Sequence, residues 1–194
     1  MLAHLVGAAE GFANPLELLH QYRRGQRLIR EGRTDGSQPV DGANAVQVAE
    51  RAGATTAELI DRYEAVIEPT MRWRRRLRHL PLRMDDVGGR FTLRQLFEVI
   101  VRRDTWMRWV DITRSTVRRF EITAEHDGRI VADAVRDWAA RHRHPFRLRL
   151  TGPAGGSYRS GNENEVIELD AVEFLRILSG RGTGDGLLAT RIVF

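Results

Sequence analysis

The sequence predicts an α+β chain in two parts, helical over residues 1–118 and mixed α/β over residues 119–194. Three observations carry this. Leu59, Tyr63, Val66, Thr70, Trp73, Leu77 and Leu80 recur at alternating spacings of four and three, which is one continuous stripe on a helix. Helix start and stop residues punctuate the chain on either side of that stripe. After Phe120 the period changes: "PFRLRLTG" alternates apolar and polar residues as a strand does, and "VIEL" follows as a second strand.

The elements are justified in order. Leu2, Leu5 and Val6 open a first helix that stops near Asn14 and Pro15. Pro15 suits the first position of a second helix, running to about Glu31, because its missing N–H needs no partner there. "GRTDGSQPVDG" has loop composition and precedes a short helix over Ala43–Ala52. Thr55 or Thr56 caps the long striped helix, and Glu58 completes a capping box with Thr55. Pro69 should kink that helix and Pro81 should end it. "MDDVGGR", Met84 to Arg90, reads as a turn, and Thr92 caps the next helix. In the C-terminal part a helix spans about Arg129–Arg141, a strand Pro145–Gly152, a glycine-rich turn region "PAGGSYRSGNENE" and the strand "VIEL". A helix opened by Asp170 and closed by Gly180 follows, with "LLATRIVF" as a last strand.

Composition narrows the chemistry. There are no cysteines, so disulfides, thiolate ligands and a cysteine nucleophile are excluded, and any thiol must come from a small molecule. No apolar run approaches the roughly 20 residues that span a bilayer, and "MLAHLVGAAEGF" lacks a basic leader, which points to the cytoplasm. Net charge is +5, and all 31 basic residues are arginine, as a GC-rich genome would give. The run "MRWRRRLRHLPLR" therefore does not by itself indicate nucleic acid; Trp73 and Leu77 belong to the core stripe, and the arginines read as its solvated face. "LTGPAGGSY" lacks the lysine and spacing of a phosphate loop, "RHRH" is a solvated helix end, and Ser157 and Ser179 have no neighbouring His–acid arrangement.

"RDTWMRWVDIT" is the informative stretch. Counting about 100° per residue from Leu93, the residues Leu96, Phe97, Ile100 and Met107 share a sector with Asp104, Arg108 and Asp111, while Trp106 and Trp109 point away. Buried charges are costly unless paired or metal-bound. Two readings stand: an Asp104–Arg108 ion pair at i,i+4, or one wall of a polar pocket between helices. His4, flanked by apolar residues, is either a satisfied interior histidine or one arm of a metal site that a bundle assembles from several helices.

"LAHLVGAAEGF", "PVDGANAVQVAERA", "RDTWMRWVDITRST", "AEHDGRIVADAV", "LTGPAGG" and "LDAVEFLRILSGR" together resemble the mycothiol-dependent maleylpyruvate isomerase family of actinobacteria, in order and over essentially the whole chain. The resemblance implies a DinB-like helical bundle followed by a small α/β domain. It implies a divalent metal, usually zinc, with His4 and Asp104 at two ligand positions and Arg108 at the third, where the family has histidine. It also implies mycothiol as cosubstrate: the metal lowers the thiol pKa, and the thiolate adds to an activated double bond, allows rotation and leaves, or is transferred.

Three departures follow from the same resemblance. Arginine has no lone pair to give a cation, so Arg108 cannot replace the ligand, although it could clamp the carboxylate of an acidic ligand. His20 and His79 are the conceivable substitute ligands. Met1 lies only three residues before His4, where the family has a further helix, so either the start is misassigned or the bundle lacks its first helix; a missing helix would leave a groove that a second copy could fill as a homodimer. Leu175, where many relatives carry cysteine, reads as a core substitution, and Asp111 as structural, orienting Arg114 or a neighbouring helix. The two resulting expectations are a thiol-using metalloenzyme and a non-catalytic small-molecule-binding or interaction protein that has lost its metal.

Overall fold

A computed structural model describes residues 1–34, 36, 38–77, 79, 81–84, 89–116, 121–162 and 165–194. The fold is mixed α+β and mostly helical, with a small three-stranded sheet. It divides into two compact units, Met1–Arg94 and Gln95–Phe194. The division expected after residue 118 falls later in the chain than the one between these units.

The first unit contains α1 (Leu2–Ala13), α2 (Pro15–Arg30), α3 (Pro39–Ala49), α4 (Thr56–Leu77) and a hairpin of β1 (Pro81–Met84) and β2 (Gly89–Thr92). Asn14 ends α1 and caps α2, its side chain accepting from Leu16 N at 3.0 Å, with Pro15 first in the helix as expected. α3 starts earlier than expected: Pro39 occupies its first turn, and the Asp41 carboxylate accepts from Gln38 N at 2.9 Å. Thr55 and Glu58 form the capping box of α4, with Thr55 N donating to Glu58 Oε2 at 2.7 Å. Along α4, Leu59 is buried and Tyr63, Val66 and Thr70 are half-buried, which follows the predicted stripe. The side chains of Trp73 and Leu77, and residue Leu80, lie outside the described residues.

α1 packs on α4, and α2 on α3. Gly25 and Gly42 make the second crossing close: a Cβ on Gly25 would stand 2.4 Å from the Gly42 carbonyl carbon. The turn expected over Met84–Arg90 is instead a hairpin, with Pro81 paired to Thr92 and Met84 to Gly89 in antiparallel register; residues 85–88 lie outside the described residues.

A short turn, α5 (Leu93–Gln95), leads into a π-helical segment over Leu96–Val101 and then α6 (Arg102–Ser115). The rest of the second unit comprises α7 (Asp127–His142), β3 (Phe146–Thr151), β4 (Gly156–Ser160), β5 (Val166–Asp170), α8 (Ala171–Leu178) and a 3₁₀ turn over Gly186–Ala189. The sheet order is β4-β3-β5, antiparallel then parallel, so β3 is central. Phe146, Leu148 and Leu150 of β3 point inward and alternate with exposed residues. Asp170 caps α8, accepting from Val172 N at 2.8 Å, and Gly180, at φ +80°, closes it in a left-handed conformation. Ala171, Phe174, Leu175 and Leu178 form its buried stripe, with Leu175 wholly inside the core.

Two expectations are corrected here. The glycine-rich region contains strand β4, and the last strand is absent among the described residues: Gly186–Ala189 is a 3₁₀ turn whose Leu187 carbonyl accepts from Trp138 Nε1 at 2.9 Å. No helix among the described residues is long and apolar enough to cross a membrane.

Candidate functional site

α6 carries the charged residues singled out in the sequence. Its buried face is Arg103, Trp106, Met107 and Val110, the last three joining the core cluster with α7, α8 and β3. The expectation that Trp106 points away is therefore wrong: it is 3% exposed and donates from Nε1 to Asp127 Oδ1 at 2.7 Å. The physical reason lies just upstream. The π-helical segment pairs i with i+5, so a count of about 100° per residue does not carry from Leu93 into α6. Trp109 does face outward, at 53% exposure.

Asp104, Arg108 and Asp111 flank the buried face and are half-buried. Arg108 Nε lies 3.3 Å from Asp104 Oδ1, the i,i+4 pair anticipated from spacing. Arg181, beyond α8, places NH2 3.9 Å from the same Asp104 oxygen and donates from Nε to Asp111 Oδ2 at 2.8 Å. Arg176 of α8 lies 3.8 Å from Asp111 Oδ1 and donates to Glu173 Oε1 at 3.1 Å, and that oxygen also accepts from Arg114 at 3.1 Å. Asp111 thus ties α6 to α8 and its following loop, not to Arg114. The result is a ladder of alternating charges in which every carboxylate named faces at least one guanidinium.

This ladder is a poor receptacle for a dication. Arg108 contributes positive charge beside Asp104 where a ligand would need a lone pair, and Arg181 stands 3.9 Å from the same carboxylate oxygen. Among the described residues, no group of three or more His, Asp or Glu side chains is arranged to hold a metal ion. His20, a conceivable substitute ligand, is engaged by Glu50 at 2.9 Å in the first unit.

His4 belongs to the first unit and is half-buried, its Nδ1 2.8 Å from Gln47 Oε1. Gln47 Nε2 donates to Gln21 Oε1 at 2.8 Å, and Gln21 Nε2 donates to Gly7 O and Glu17 Oε1, both at 2.8 Å. Beside this chain, Arg51 is 3% exposed and donates to Glu10 Oε2, to Gln47 O at 3.0 Å and to Glu17 Oε1 at 3.3 Å. Arg62 holds the other face of Glu10, at 2.7 and 3.0 Å. Burial pushes the Glu10 carboxyl up, but hydrogen bonds from Arg62 and Arg51 overcome this and hold it below the ordinary carboxylate range. The cleft over this cluster, about 440 Å³, is lined by Glu10, Glu17, Glu50, Arg51 and Arg62 together with Asn14.

None of Gln21, Gln47, Arg51 or Glu10 was legible as part of a site, because polar residues on helices ordinarily mark the solvated face. The available signal was glycine. Gly7 and Gly11 sit where a Cβ would approach Gln47 at 2.6 Å and Gln21 at 3.0 Å, and mid-helix glycine implies close approach of another group. No family model, no curated protein and no solved structure matches this chain.

Proposed function

We propose that this chain is a divergent relative of the mycothiol-dependent maleylpyruvate isomerase family, DinB-like in its helical part, that works as a non-catalytic small-molecule-binding or interaction protein. The observation that supports this reading is the pairing of Asp104 with Arg108 at 3.3 Å, reinforced by Arg181 at 3.9 Å. A carboxylate already neutralised by guanidinium has little affinity to offer a metal. A dication placed about 4 Å from one guanidinium is repelled by roughly 8 kcal/mol at an effective dielectric of 20. Structural zinc sites bind with about 10–16 kcal/mol in all, so losing a ligand as well removes most of the binding energy.

Elemental analysis of the purified protein, with calorimetric titration of zinc, tests the reading. The expected result is substoichiometric zinc and no high-affinity isotherm. Stoichiometric zinc that is lost in His4→Ala and Asp104→Ala would overturn it and favour the thiol-transferring metalloenzyme instead. Titration with mycothiol and with small dicarboxylates identifies the ligand class. Binding of a dicarboxylate that Arg108→Ala abolishes would assign Arg108 as its carboxylate clamp.

A further inference from the structure

The three-stranded sheet of the second unit has one face on the core and one in solvent. Phe146, Leu148 and Leu150 of β3 are buried, and Tyr158 of β4 and Ile167 and Leu169 of β5 pack against the same core, so these strands leave no aromatic ring for the outer face. That outer face carries Arg147 and Arg149 of β3 and, directly across the antiparallel ladder, Arg159 and Ser157 of β4, all exposed. Arg147 therefore stands opposite Arg159, with Cα atoms about 4.5–5.5 Å apart, and like charges in that position oppose the pairing of the strands. Neither side chain has an acidic partner or a hydrogen bond among the described residues, whereas Arg149 has Glu168 at 3.8 Å. On the parallel side the neighbour of Arg147 is Val166, 43% exposed, and acids begin only at Glu168 and Asp170. The face is thus cationic and partly apolar at one end and anionic at the other.

We infer that the Arg147–Arg159 end of this outer face is a docking site for a short acidic polypeptide segment, whose carboxylates the two guanidinium groups hold and whose apolar side chain covers Val166. A carboxylate relieves the repulsion between the two arginines, and each guanidinium can take it in a two-bond fork. The size of the face sets the size of the occupant. Three strands about 4.8 Å apart, each with five paired residues at about 3.3 Å, present roughly 200–300 Å². A stable pair of folded proteins takes about 800 Å² from each partner, so a second copy seated here would not hold. Nucleic acid fits less well. Bases have no ring to stack on, and a phosphate backbone continuing along the sheet would meet Glu168 and Asp170. The inference does not rest on the loss of metal proposed above, because none of these residues belongs to the Asp104–Arg108 pair.

Fluorescence anisotropy of a short labelled peptide alternating glutamate and valine, titrated with the full chain, tests this. A lysine–valine peptide and an oligothymidine of matched charge run alongside. The glutamate peptide should bind, the lysine peptide should not, and the oligothymidine should bind more weakly than the glutamate peptide. The double variant Arg147→Gln with Arg159→Gln should weaken peptide binding at least tenfold. Arg72→Gln with Arg129→Gln removes the same charge from exposed helix pairs and should bind as the wild type does. Arg159→Glu gives a readout that a merely structural role would not: opposite charges across the ladder should raise the melting temperature while peptide binding is lost. No binding of the glutamate peptide, equal weakening in the two double variants, an oligothymidine bound as tightly as the peptide or more so, or a lowered melting temperature in Arg159→Glu would each overturn the inference.

Discussion

Gly25→Ala probes how closely α2 and α3 are packed. A methyl group there would stand 2.4 Å from the Gly42 carbonyl carbon, 2.5 Å from Ala43 N and 2.8 Å from Gly42 O. Favourable carbon contacts lie near 3.5–4.0 Å, so the helices must separate by about 1 Å. All three obstacles are backbone atoms, which no side-chain rotation can clear. Overpacking of this kind costs about 1–3 kcal/mol, and the unyielding neighbours place it at the upper end. Alanine returns about 1 kcal/mol of helix propensity, leaving a net loss of about 2 kcal/mol. Gly53→Ala is the control, since nothing lies within 4 Å of a Cβ there. Gly42→Ala meets Gly25 O at 2.5 Å, so it should behave like Gly25→Ala, and the double variant should lose less than the sum because both methyls open the same crossing. Urea denaturation followed by circular dichroism reads the midpoint shift at constant slope. A Gly25→Ala protein as stable as Gly53→Ala would refute the close crossing.

Two further expectations concern acid. Glu10→Ala should cost about 3 kcal/mol near neutrality because it leaves the buried Arg51 guanidinium with Glu17 as its remaining carboxylate. The Glu10 carboxyl is held below its ordinary range, so its contribution is fully present above the unfolded pKa of about 4.3 and disappears as pH falls through the folded value. The gap between wild type and variant should therefore close in acid; a gap independent of pH would contradict the assignment. His142 has its pKa lowered by burial and then by the charge of His144, its Nε2 is buried without a hydrogen-bond partner among the described residues, and its ring lies 4.3 Å from that of Trp138. The folded state resists protonating it, so stability is complete above the unfolded imidazole pKa of about 6.5 and declines as pH drops below that value. His142→Phe should flatten the melting temperature across this window, and an unaltered slope would remove His142 from the account.

Much of the helical framework was legible because it is written in local chemistry. Asn14 with Pro15, Thr55 with Glu58, and Asp170 with Gly180 each mark a helix end by groups the backbone needs, and each marks one in the fold. What escaped was set by partners distant in sequence. β4 runs through "GSYRS", whose small polar residues carry no strand pattern of their own and are ordered by pairing with β3. The hairpin at Pro81 was likewise hidden by its glycines. Trp106 was misplaced by a change of helical pitch at Leu96–Val101 that composition does not announce. Of the charged residues, the Asp104–Arg108 pair was readable from an i,i+4 spacing, whereas Arg181 and Arg176 reach Asp111 from another part of the chain. His4 was singled out, but Gln47, which its ring meets, lies 43 positions downstream, beyond any local pattern.

Arg103 has a consequence for how the second unit assembles. Its guanidinium is 1% exposed, and its acceptors are Asp137 at 2.9 Å, Asp133 O at 3.4 Å and, 90 positions away, Val193 O at 3.0 Å, with the Phe194 ring 5.5 Å off. Until residues 193 and 194 arrive, a cation stands in the interior with its solvation incomplete. Closing a loop of that length costs about 4 kcal/mol in chain entropy, which the contacts at Arg103 help to offset. Removing the acceptor and ring at residues 193 and 194 should therefore destabilise the second unit more than their partial exposure suggests, because it leaves the buried Arg103 guanidinium short of partners.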